Sequence, residues 1–188
     1  MNTVIILSGI LYNRAKQRPH HFAKYFVEKG HHVIYLGLLE GHKICSKSLK
    51  EVADEKSLKE FLFYKNDDGV FVLKNRFVDD SVQGNMSELL SKINEVYSSQ
   101  SLTYIVAFPD WMRYLESIPE NSKLIYDCND DWSMFLKDVD LNFTEKLIYF
   151  ERKAASAAHL VLTSAKRLYV KMAYYNDNVY YLPNGVWQ

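Results

Sequence analysis

Two short stretches carry side chains whose types and spacing could do chemistry. In YDCNDDW, residues 126–132, the carboxylates of Asp127, Asp130 and Asp131 crowd around the amide of Asn129, with Trp132 beside them. Grouped carboxylates orient sugar hydroxyls, act as a general base or hold a divalent cation, and Asp and Asn equally cap helices and order loops. In NRAKQRPHHFAKYF, residues 13–26, Arg14, Lys16 and Arg18 precede a helix whose first turn holds His20 and His21. Guanidinium groups grip phosphate oxygens in pairs, and the free N–H groups of a helix start already favour anions. The same cluster also reads as a solvated loop with its cations facing water. Either histidine could donate to a phosphate or a sugar hydroxyl, move a proton near neutral pH, or only bond the neighbouring loop.

Composition narrows the partners. The 188 residues carry 23 Lys+Arg against 23 Asp+Glu, so the basic surface that general nucleic-acid binding needs is missing and no nucleic-acid partner is expected. Cys45 and Cys128 stand far apart, without the spacing of a zinc site or a disulfide framework, and read as free thiols of a reducing cytoplasm. No G-x-G-x-x-G follows the first apolar run, no P-loop lysine motif occurs and no nucleophile elbow is visible. No cofactor and no metal are therefore expected; a metal-dependent reaction on Asp127, Asp130 and Asp131 would need a bound divalent ion. Val4–Leu7 reads as a buried strand, lacking a basic leader and a cleavage site, and no apolar run is long enough to span a bilayer.

The elements that must position these residues follow from periodicity. The run Thr3–Leu7 is a strand. A helix opens at Pro19, where a missing N–H costs nothing, and stops at Gly30. Phe22 and Phe26, with Ala23 and Val27, recur at helical spacing and pack that helix on a sheet. His32–Leu39 is the second strand of a βαβ unit. An irregular excursion over 41–84 contains a helix-compatible stretch, Ser46–Lys59, and a hairpin whose turn is Asn66–Gly69. Beyond it the pattern predicts a helix over Met86–Tyr97, a strand over Thr103–Phe108 and a short helix over Met112–Ile118. A strand over Lys123–Asp127 comes next, then a helix capped by Asn142 with Glu145 at its third position. Strand His159–Leu162, helix Ala165–Tyr174 capped by Ser164, and strand Val179–Leu182 complete the order. That order is a doubly wound, mostly parallel α/β sheet in one domain over 1–188.

In such a sheet the loops after the carboxyl ends of the strands gather on one rim, where ligands bind. The rim is expected to carry Ser8, Gly9 and the basic loop 13–21 after the first strand. Later strands add Pro109, Asp110 and Trp111, then Asp127 to Trp132, and finally Thr163, Ser164, Asn184 and Gly185. Trp111 and Trp132 could stack on a sugar face or close over the core. Cations on one loop and carboxylates on another suit a site that holds an anionic group beside a polyhydroxylated one.

With these residues in view, the chain resembles the N-terminal half of a GT-B glycosyltransferase of the family 4 type, and is similar to teichuronic acid biosynthesis glycosyltransferases. The likeness rests on QRPHHFAKYFVEKGHHVIYL at 17–36, KLIYDCNDDW at 123–132, and ERKAASAAHLVLTSAKRL at 151–168 leading to VYYLPNGV at 179–186. It implies a Rossmann-like acceptor domain of a retaining transferase in cell-surface polysaccharide or glycolipid synthesis. The nucleotide-sugar donor would be gripped mainly by a C-terminal domain outside this chain, so the chain alone is expected to be inactive. The acceptor would be a glycan or lipid-linked, with the enzyme cytoplasmic and a peripheral contact to the inner membrane face left open. Carried over by position, Asn129 and Asp130 would face the reacting sugar as catalytic candidates. Gly9, Arg14, Arg18, His20, His21, Trp111, Asp127 and Asp131 would face the acceptor or the donor diphosphate. Asn129 stands where many relatives have histidine, Gly9 alone remains of a loop that is often glycine-rich, and Trp187 stands where relatives usually have aspartate. The alternative is a stand-alone binding module for a phosphorylated or carboxylated ligand.

Overall fold

The structure, a computed structural model, describes residues 2–37, 49–74, 82–115, 118–135 and 141–185. Eight strands form one sheet in the order β3-β4-β2-β1-β5-β6-β7-β8. They are β1 (Thr3–Ser8), β2 (His32–Gly37), β3 (Phe63–Lys65), β4 (Phe71–Leu73), β5 (Leu102–Val106), β6 (Lys123–Cys128), β7 (Leu160–Thr163) and β8 (Val179–Tyr181). Every neighbouring pair is parallel except β3 with β4. The architecture is the doubly wound α/β sheet that the alternation of apolar strands and amphipathic helices predicts.

Burial on both faces explains the unbroken apolar strands. In β1, Ile5 and Leu7 join one core cluster while Val4 and Ile6 join the other. The side-chain alternation of an extended chain thus feeds two cores from one strand. Helix α1 (Arg18–Glu28) covers the face of Val4, Ile6, Val33 and Tyr35 with Ala23, Phe22, Phe26 and Val27. The opposite face takes α2 (Glu55–Leu62), α3 (Val82–Val96), α5 (Leu141–Ala157) and α6 (Lys166–Met172). A single turn, α4 (Trp132–Phe135), follows β6. Among the described residues no helix is long and apolar enough to cross a membrane.

Boundaries shift where local chemistry intervenes. The hairpin forms as β3 and β4 around Asn66–Gly69, with Gly69 at φ +83° supplying the left-handed residue that the turn requires. The region after β5 is a five-residue 3₁₀ turn, Pro109–Arg113, which starts earlier than the expected helix over Met112–Ile118, of which residues 116 and 117 lie outside the described residues; the fully buried Trp111 sits at the centre of the turn. Asn142 lies inside the first turn of α5, so it is not the cap. Ser164 does not cap α6 either: its hydroxyl donates to the Asn129 carbonyl, 2.8 Å away, and ties the ends of β6 and β7 together. Residues 38–48, which include part of the Ser46–Lys59 stretch and Cys45, and Trp187 lie outside the described residues.

One backbone approach in the sheet bears on the rim. A Cβ at Gly37 would stand 2.6 Å from the Ile10 carbonyl oxygen and 2.9 Å from Leu11 Cα. Backbone cannot rotate away as a side chain can, so Gly37→Ala must push residues 10 and 11, at the root of the basic loop. The expected loss is about 1–3 kcal/mol, the range of overpacking, read as a lower urea midpoint with an unchanged m-value.

Candidate functional site

The carboxyl ends of β1, β6 and β8 deliver three segments to one cleft of about 630 Å³. Its walls are the start of α1 with the residues before it (Lys16, Gln17, Arg18, His21, Phe22), the β6 end (Asn129, Asp130) and the turn after β8 (Leu182 to Gly185). A second groove of about 660 Å³ lies between Arg113 and the Asn142–Phe150 face of α5. It receives none of the strand-end carboxylates, and the first cleft is therefore the candidate site.

Arg18 organises the cleft. Its Nε donates to Asp127 Oδ2 at 3.1 Å and lies 2.9 Å from Oδ1, which has no hydrogen bond among the described residues. Its Nη1 donates to the Leu182 carbonyl at 2.5 Å and lies 3.4 Å from Asn184 Oδ1. One guanidinium thus joins the start of α1 to the ends of β6 and β8. Its Nη2 is shielded and has no hydrogen-bond partner among the described residues. The Asp127 carboxyl is wholly buried. Burial raises its pKa to about 6 against the opposing pull of the Arg18 charge, and Asp130 adds to the rise.

The other carboxylates of 126–132 have separate surroundings. Asp131 turns toward α6, where Arg167 stands 2.6 Å from Oδ2, Lys171 3.1 Å from Oδ1, and Ser133 donates to Oδ1 at 2.5 Å. Burial pushes its pKa up, but Ser133, Lys171 and Arg167 together bring it below the ordinary value. Lys171 also pairs at 2.7 Å with the buried Glu151. Asp130 lines the cleft, and burial alone raises its pKa. Among the described residues no group of three His, Cys, Asp or Glu stands close enough to hold a metal ion.

Of the expected site residues, Arg18, His21, Asn129 and Asp130 line the cleft, with Asp127 beneath Arg18. Five stand elsewhere. His20 is buried in the first turn of α1: Nδ1 accepts from the Gln17 N–H at 3.0 Å, which puts the ring proton on Nε2, 3.3 Å from the Leu11 carbonyl. Burial lowers its pKa, and the ring packs against Tyr12 and Tyr35. Trp111 is fully buried, and its indole N–H donates to the Ser8 carbonyl at 2.9 Å. At Gly9 an added Cβ would stand 3.0 Å from the Phe108 ring. Gly9, Phe108 and Trp111 thus fill the crevice between β1 and β5, where the strand order reverses, and displace the open cleft toward β6–β8. Arg14 is exposed away from the cleft wall, and Asp131 belongs to the α6 pair.

The sequence reading placed Phe22 on the sheet-packing face and gave no role to Leu182 and Pro183, yet all three form apolar wall. The available signal was spacing: Phe22 lies four residues after Arg18, on the same helix stripe. The cleft thus combines an apolar wall with an amide, a carboxylate, an imidazole and a guanidinium, a lining that suits a small polar ligand with an apolar face. No protein-family model matches the chain, and no curated protein matches it.

Proposed function

We propose that this chain is the acceptor-binding half of a retaining glycosyltransferase that uses a nucleotide-sugar donor in the synthesis of a cell-surface glycan or glycolipid on the cytoplasmic side. The observation that carries this reading is the convergence of Asn129, Asp130 and the Arg18-anchored Pro183–Gly185 turn on one cleft at the carboxyl rim. Asn129 and Asp130 would address hydroxyls of the sugar nearest the reacting bond. Phe22, Leu182 and Pro183 would cover its C–H face, and the nucleotide would be gripped by a second domain.

Calorimetric titration of the chain with UDP-, GDP- and ADP-sugars and, separately, with hexose oligosaccharides tests this division. The expected result is measurable oligosaccharide binding with weak or absent nucleotide-sugar binding. Tight nucleotide-sugar binding without oligosaccharide binding would contradict it.

A further inference from the structure

We infer that the sugar unit this cleft selects is uncharged, an inference that rests on the acceptor reading above and names its ligand class. The cations at and before the start of α1 invite the opposite conclusion, but Arg18 and Lys16, which line the cleft, each already have a carboxylate. Arg18 is paired with the wholly buried Asp127, and Lys16 stands 3.5 Å from Asp68, whose carboxylate also accepts from Tyr12 at 2.9 Å. Arg14 stands off the wall. Asp130, by contrast, has no cation partner among the described residues, and only burial moves its pKa. A phosphate or carboxylate entering here would meet cations already neutralised and one carboxylate that is not. Like charges brought together out of water are strongly disfavoured.

The hydrogen-bonding demand points the same way. The Asp130 carboxylate lines the cleft and can only accept while ionised. A sugar hydroxyl can donate to it, whereas a fully ionised phosphate or carboxylate brings acceptors only and leaves it without a donor.

Titration of the chain with neutral hexose trisaccharides, and with the same trisaccharides ending in a hexuronic acid, tests the inference at neutral pH and low salt. The neutral series is expected to bind about tenfold more tightly or better, the size of effect that an unpaired like charge imposes. Asp130→Asn, which keeps shape and removes charge, is expected to close most of that gap by improving binding of the acidic series. Tighter binding of the uronate-terminated sugars, or a gap that Asp130→Asn leaves unchanged, would overturn the inference and leave the acceptor reading standing. Binding of neither series would remove both.

Discussion

Replacing Arg18 with methionine is expected to cost about 2–4 kcal/mol at neutral pH. It removes the counter-charge of the buried Asp127 carboxylate, worth about 1.4 kcal/mol per pH unit above the folded value, and the charged hydrogen bond to the Leu182 carbonyl. Methionine keeps much of the volume of the aliphatic stem, so the loss reports charge more than packing. The deficit should depend on pH in a defined direction. In the folded protein Asp127 keeps its proton up to about pH 6, whereas an unfolded aspartate releases it near about 4. The native state therefore binds more protons in that window, and this group's contribution to stability falls as pH rises through it. Removing Arg18 takes away the largest cause that lowers the folded value, so the window extends upward. Denaturation of the two proteins from pH 4 to pH 8 should show the smaller difference at the acid end and a difference that is still widening at neutrality. A deficit independent of pH would mean that Arg18 acts through packing and its bond to Leu182 alone.

The second large effect separates stability from binding at Trp111. The indole is fully buried in the larger core cluster and donates to the Ser8 carbonyl at the end of β1. Trp111→Ala is expected to cost about 3–5 kcal/mol, the range for emptying a buried aromatic site. Trp111→Phe fills most of the space but leaves that carbonyl without its donor, for a loss of about 1–3 kcal/mol. Oligosaccharide affinity of the folded Phe variant should stay within about twofold of the parent, since Trp111 does not line the cleft. A clear loss of affinity at full stability would return Trp111 to the ligand surface.

The parts of this fold that sequence reveals are those in which one physical requirement repeats along the chain. Val4–Leu7 and Val33–Leu36 are unbroken apolar runs because both faces of the sheet are covered, and Phe22, Ala23 and Phe26 keep helical spacing because α1 rests on that sheet. The rim was legible for the same reason, since strand ends fix which loops meet. What those loops do to one another was not. Arg18 and Asp127 stand 109 positions apart, and no local pattern shows that the most prominent cation of the basic loop is the counter-ion of the most buried carboxylate. His20 reads as a chemical group until its Nδ1 is seen accepting from Gln17 at the helix start. Trp111 reads equally as a sugar platform or a lid on the core, and the short 3₁₀ turn Pro109–Arg113 carries it into the core. Arg18 and Lys16 of the basic stretch each have a carboxylate partner, while the Asp130 carboxylate in the cleft has no cation partner among the described residues.

Amide chemical-shift mapping of the ¹⁵N-labelled chain during titration with neutral hexose trisaccharides tests the central claim most directly. Shifts are expected at Arg18, His21, Asn129, Asp130, Asn184 and Gly185, weakened in Asp130→Asn. Shifts confined to the Arg113 and Asn142–Phe150 groove, or no shifts with any glycan, would contradict it.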